Sequence, residues 1–300
     1  MKDKKALIGY IEILMAGVFS SFGGLFNKNL TAIFPDPKTA SFYSLIIALI
    51  ALFIFLAIQG DRFGFKIDGK TLFLTFVYGF LTRGLMKICY DYSIYLTGIA
   101  MTTILLYTAP IFTFVMSLIF FKEQMTARKT FAVILNIIGC VFVVTQGNFN
   151  SLNTNKIGLI LGLICGFLYA LFTILGKVAT SSINAFSFSF YVFLFSTITV
   201  FPIAKPWTTL PMVMNSKYIL NAIGYGLLCV VTPNCLLLDG LSRGVDASKA
   251  PILTSVEVIV ASLLGVMMFS EVLNSFAIGG IAIIVFSIFI MNTEKNTDKL

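Results

Sequence analysis

The chain has 300 residues, 58% of them hydrophobic and 11% charged, with a mean hydropathy of +0.96 and a formal net charge of +8. A soluble domain of this size cannot hide so much apolar surface, which excludes a water-soluble enzyme and makes the bilayer the solvent. In a soluble protein the positive charge would suggest nucleic acid; here it reads as a marker of one membrane side, and nucleic acid is not an expected partner.

Apolar stretches of about 20 residues, enough for a helix to cross the hydrocarbon, recur along the chain. The predicted fold is an all-α integral membrane protein with ten transmembrane helices. After the basic Met1–Lys5, which no small-residue cleavage site follows, the first span covers Ala6 to Phe26 and carries Glu12 near its cytoplasmic end. Glu12 reads as a wetted helix start or a gate contact. The second span, Thr39 to Gln59, follows the turn Phe34-Pro-Asp-Pro37.

The third span, Leu72 to Tyr95, holds Arg83, Lys87 and Asp91 at i, i+4 and i+8, one stripe on one helix face. A charge near the bilayer centre costs at least about 2.5–3.5 kcal/mol, so those present are expected to face a cavity or a partner. The planar fork of Arg83 suits a carboxylate or phosphate, and Lys87 adds a point charge. The alternatives are structural: Lys87 paired with Asp91, and Arg83 paired with Glu257 of the ninth span.

The fourth span, Gly98 to Phe121, carries Tyr107 one turn before Pro110. The fifth, Lys129 to Gln146, has no interior charge. The sixth and seventh, Ile157 to Gly176 and Ala185 to Ala204, are apolar, and the eighth, Tyr218 to Leu241, holds Pro233, Asn234 and Asp239. Pro110, Pro233 and Pro251 are expected to kink their helices and free carbonyls that Tyr107 and Asn234 could use.

The ninth span, Ala247 to Phe269, opens with Lys249, expected to snorkel to headgroups or meet an anionic substrate, and places Glu257 centrally. Glu257 could bind a substrate amine, carry a coupling proton or partner Arg83. The tenth span, Ser275 to Met291, contains Gly279-Gly280; it and the fifth are expected to face lipid or a second copy of the chain, as a homodimer. Glu123 and Glu271 sit at span ends and read as helix-terminal or gate contacts.

With both termini placed in the cytoplasm, thirteen Lys and Arg fall on the inner side and five on the outer, which supports that orientation in a plasma membrane. All five cysteines lie in apolar segments without zinc-ligand spacing, His is absent and no phosphate-binding glycine loop is present. No cofactor, metal or catalytic residue is therefore expected. A membrane enzyme would want His, paired carboxylates or a metal motif.

Sliding the sequence on itself by 148 or 149 residues aligns Ile8-Gly9 with Ile157-Gly158, Ser41-Phe42-Tyr43 with Ser189-Phe190-Tyr191, Asp91 with Asp239, and Phe121-x-Glu123 with Phe269-x-Glu271. A five-span unit inserts its second copy upside down, which predicts two inverted halves, 1–148 and 149–300, and alternating access. In this register Glu257 answers to Ala109, while Arg83 and Lys87 answer to the uncharged Val231 and Cys235.

The ten-span duplication, the stretch Ala109 to Glu123 (APIFTFVMSLIFFKE) and its counterpart Glu257 to Glu271 (EVIVASLLGVMMFSE) resemble the EamA-type members of the drug/metabolite transporter superfamily. In the family pattern both stretches open with Pro; this chain has Val258 in the second. An Arg often found early in the second span of each half is replaced here by aromatics around Tyr43 and Tyr191. The resemblance implies a secondary transporter, most often an exporter, of a small polar metabolite such as an amino acid or organic anion. The alternatives are a multidrug or organic-cation carrier, or a nucleotide-sugar-like exchanger, of the same fold.

Overall fold

The computed structural model describes residues 2–60, 67–124, 126–151, 155–180, 183–269 and 272–292, and among them every regular element is helical. In chain order these are α1 (Lys2–Ser21), α2 (Gly23–Ile33), α3 (Pro37–Gln59), α4 (Gly69–Tyr78), a π-helical segment (Gly79–Leu85), α5 (Met86–Leu106), α6 (Ala109–Phe121), α7 (Ala127–Thr145) and α8 (Lys156–Ala179). There follow α9 (Ala185–Ala204), α10 (Pro206–Val213), α11 (Ser216–Gly224), a second π-helical segment (Tyr225–Val231), α12 (Thr232–Ser242), α13 (Ala250–Thr254), α14 (Val256–Phe269) and α15 (Ser275–Asn292). Nine helical stretches among the described residues are long and apolar enough to cross a membrane, and Ser275–Met291 adds a shorter one.

The starts follow local chemistry. Asp36, Asp68, Thr126, Asn155, Asn184, Asn215 and Asn274 each accept hydrogen bonds from amides in the first turn that follows, filling donors that a helix start leaves open. These are the polar breaks between apolar runs. The first span is longer than its hydropathy suggests, because α1 and α2 continue to Ile33. The third and fourth spans are joined only through Gly98, whose φ of +83° a side chain would resist.

The prolines hold different places in their helices. Pro110 and Pro251 stand in the first turn of α6 and α13, where the missing N–H is not needed, whereas Pro233 follows the second π segment inside one helical stretch, Ser216–Ser242. Pro202 and Pro211 lie inside α9 and α10.

Contacts divide the chain into two units, Met1–Asp91 with Leu175–Val245, and Tyr92–Ile174 with Asp246–Leu300; α5 and α8 pass from one to the other. The first unit packs α3 against α9 through Phe42, Leu45, Leu52, Phe193 and Val200. A side cluster of Leu30, Ala40, Tyr218 and Ala222 ties α2 and α3 to α11.

In this unit each π segment begins beside a Tyr-Gly pair, Tyr78-Gly79 and Tyr225-Gly226, with Gly79 first in its segment and Gly226 second. A Cβ on Gly79 would lie 2.7 Å from the Val192 carbonyl of α9, and one on Gly226 would lie 2.9 Å from the Ser44 carbonyl of α3. Gly79→Val and Gly226→Val are expected to destabilise the protein by about 1–3 kcal/mol through overpacking. Thermal unfolding in detergent tests this, with Gly24→Val, which meets nothing within 4 Å, as the neutral comparison.

The second unit packs α7 against α15. A Cβ on Gly280 would lie 2.7 Å from the Gly139 carbonyl, and one on Gly139 would lie 2.8 Å from the Gly280 carbonyl. The close approach expected of Gly280 is therefore made to α7 of the same chain, and Gly279 meets no neighbour within 4 Å. Around this contact Cys140, Val143, Val258 and Ile284 form one apolar cluster, with Tyr107 packed beside it.

Candidate functional site

In the first unit the π segment breaks the expected charged stripe into two parts. Lys87 and Asp91, both on α5, form an i,i+4 ion pair at 2.6 Å, and the Lys87 ammonium also lies 5.6 Å from the centre of the Tyr90 ring. Arg83, within the π segment, turns to α12: its Nη2 donates to Asn234 Oδ1 at 2.9 Å. The amide of Asn234 donates to Ser189 Oγ of α9 at 2.7 Å, and that hydroxyl donates to the Ala185 carbonyl at 2.7 Å.

Asn234 is fully buried and spends both ends of its amide, which orients one edge of the guanidinium. Two residues singled out on separate spans are thus joined in one hydrogen-bond chain. Ser189, which the sequence marks only through the repeat alignment, is the third member; as one of three serines on α9 it carries no signal of its own. A cavity of about 240 Å³ in this unit is lined by Leu52, Phe55, Phe186, Val231, Cys235 and Asp239 among others, and Arg83 is not part of its wall.

At the far end of α12, Arg243 donates to Glu12 Oε2 at 2.8 Å and to Asp239 Oδ2 at 2.6 Å. Glu12 is thus an ion-pair partner in a partly solvated helix start. Burial opposes the Arg243 charge, but the hydrogen bonds to Asp239 and Glu12 outweigh it, and the guanidinium stays above the ordinary arginine value. A double-mutant cycle on Glu12 and Arg243 is expected to show a coupling of about 0.5–1 kcal/mol, because the pair is partly solvated. Unfolding in detergent of Glu12→Gln, Arg243→Ala and the double variant measures it.

In the second unit Lys249 does not snorkel: it is 1% exposed, and its Nζ lies 3.2 Å from Asp246 Oδ2, which Lys129 also approaches at 3.5 Å. Beside it the Glu123 carboxylate accepts from the amides of Ala247 and Ser248 at 2.9 and 3.2 Å and from the Ser248 hydroxyl at 2.5 Å. Glu123 is thus a cap for the ninth span. Its repeat mate Glu271 lies outside the described residues.

Glu257 stands in the first turn of α14, half-buried, where the amide dipoles favour a negative charge. Among the described residues it makes no hydrogen bond or ion pair. The turn before it has a counterpart in the first half. Ser255 Oγ donates to the Ile252 carbonyl at 2.6 Å and Val258 N to the Ser255 carbonyl at 3.0 Å. In the first copy Thr108 Oγ1 donates to the Leu105 carbonyl at 2.6 Å and Ile111 N to the Thr108 carbonyl at 3.0 Å.

Thr108 and Ser255, 147 residues apart, thus make matching turns, with Pro110 and Glu257 each two residues further on.

A model of the EamA-like transporter family matches residues 7–145 and again residues 156–293. A transporter of Archaeoglobus fulgidus, described only as uncharacterized, is 26% identical over 282 residues, covering 94% of this chain and 95% of its own. The uncharacterized transporter YetK of Bacillus subtilis is 24% identical over 304 residues, covering 97% of this chain and 89% of its own. A solved crystal structure shares the fold over 97% of this chain and 98% of its own, with a TM-score of 0.76 at 14% identity.

Proposed function

Since the chain belongs to the EamA-like transporter family and is a multi-pass membrane transporter, we propose that it is a secondary carrier exporting small carboxylate-bearing metabolites, amino acids or organic anions, across the plasma membrane with both termini in the cytoplasm. The observation that supports this substrate class is the orientation of Arg83. A guanidinium inside a membrane span is held at 2.9 Å by a fully buried neutral amide, itself anchored on Ser189. Such a group offers a substrate carboxylate a planar, charge-assisted contact.

Glu257 supports the coupling half of this reading. A carboxylate that no described residue neutralises takes its countercharge from a proton or from a substrate ammonium. Inverted halves that exchange conformations would then carry substrate and proton past the membrane in alternation.

The same carboxylate favours a second reading, an organic-cation carrier. Proteoliposomes of purified protein, assayed with amino acids, dicarboxylates and lipophilic cations, separate the two. Saturable transport of the carboxylate-bearing solutes, without competition by the cations, is the expected outcome. Transport confined to cations would reject the proposal.

A further inference from the structure

The cavity of the first unit has a wall that the repeat explains. At the 148-residue shift that aligns Asp91 with Asp239, the stripe Arg83, Lys87 and Asp91 corresponds to Val231, Cys235 and Asp239, and all three of these line the cavity. The second half has kept the acid of the stripe and replaced both of its cations by apolar side chains.

The charge that remains is only partly matched. In the first half Asp91 pairs with Lys87 at 2.6 Å, one cation for one carboxylate. Among the described residues Asp239 has Arg243 as its ion-pair partner, at 2.6 Å, and Glu12 takes the same guanidinium at 2.8 Å. Two carboxylates on one guanidinium leave this group with one negative charge in excess.

The rest of the wall is apolar and partly aromatic. Phe55 of α3 and Phe186 of α9 face the cavity with ring centroids 5.0 Å apart, beside Leu52 and Leu236. Aromatic faces attract a cation, and the attraction grows as water is excluded. An apolar cavity of about 150 Å³ is enough for benzene, and this one is about 240 Å³. The excess charge opposes an anion, and a neutral apolar molecule leaves it unmatched. The occupant that complements the whole wall is a small aromatic ammonium ion.

We propose that this cavity is a cation site separate from Arg83, taking an aryl-alkyl ammonium whose apolar body lies against Phe55 and Phe186 and whose charge lies toward Asp239. Neither Arg83 nor Asn234 lines it, and Glu257 belongs to the other unit. The inference goes beyond the carboxylate reading and does not depend on it, so a failure of carboxylate transport in proteoliposomes leaves it standing.

Calorimetric titration of the purified protein in detergent with benzyltrimethylammonium, a permanent cation with one aromatic ring, tests it. Saturable binding is expected. Ala51→Phe, which fills the cavity from α3, is expected to weaken binding at least about tenfold. Asp239→Asn is expected to weaken it about two- to fivefold, the size of a partly solvated charge contact. Arg83→Ala and Glu257→Gln are expected to keep the wild-type affinity.

Absence of saturable binding, or wild-type affinity in Ala51→Phe, overturns the inference. Unchanged affinity in Asp239→Asn overturns it as well, because the charge match would then be idle. If Glu257→Gln abolishes binding while Ala51→Phe keeps it, the cation sits in the second unit, which supports the organic-cation carrier instead. Should Ala51→Phe fail to fold, Leu236→Trp fills the same space from α12 and carries that arm of the test.

Discussion

Arg83→Ala is expected to lower transport efficiency for carboxylate-bearing substrates by about 10- to 150-fold. A charge-assisted hydrogen bond contributes about 1.5–3 kcal/mol, and each 1.4 kcal/mol is about tenfold. The loss should appear mainly in KM, since the guanidinium binds the substrate rather than moving it. Arg83→Lys keeps the charge but not the fork, and is expected to recover only part of the loss.

Asn234→Ala is the informative neighbour. It leaves the Arg83 charge intact but removes its 2.9 Å contact and the link to Ser189. An intermediate rise in KM is expected, from lost orientation alone. Initial rates over a range of substrate concentrations, with the amount of protein in each liposome preparation measured, provide the comparison. Equal KM values with and without Arg83 would remove it from the site.

Glu257→Gln is expected to abolish accumulation driven by a pH gradient while leaving exchange at a measurable rate. Glutamine keeps the shape and the polar contacts but cannot bind and release a proton. Because no described residue neutralises Glu257, the substitution should leave no unpaired charge behind and should not destabilise the fold. Accumulation by the variant that follows the imposed gradient as the wild type does would show that the proton travels elsewhere. Loss of both activities would instead favour a substrate ammonium on this carboxylate.

Much of the architecture was legible in the residues. The apolar runs mark the spans because hydrocarbon admits little else, and the Asp, Asn and Thr caps at Asp36, Asp68, Thr126, Asn184 and Asn215 mark where they begin. Arg83, Lys87 and Glu257 stood out for the same reason, a charge in an apolar segment. The Lys87–Asp91 pair could be read from i,i+4 spacing alone.

The partners were not legible, because they are set by what packs 100 residues or more away. Nothing in the spacing joins Arg83 to Asn234, or Glu12 to Arg243, and the burial of Lys249 beside Asp246 and Lys129 reverses the fate of a basic residue near a span end. The repeat register is a related case. Sequence identity favours a shift of 148 or 149, which the ends of α6 and α14 at Phe121 and Phe269 keep, while the turns at Thr108 and Ser255 match at 147, since a turn is defined by backbone hydrogen bonds rather than by the side chains that follow it.

The sequence by itself thus determined the solvent, the number of crossings and which charges need explaining, all of which follow from transfer free energy summed along the chain. Tertiary structure alone decided where the helices break and which way Arg83 turns. Asn136 shows why: it is one polar residue on an apolar helix until Ser255 and Ser287, from two other helices, meet its amide at 2.6 and 3.1 Å.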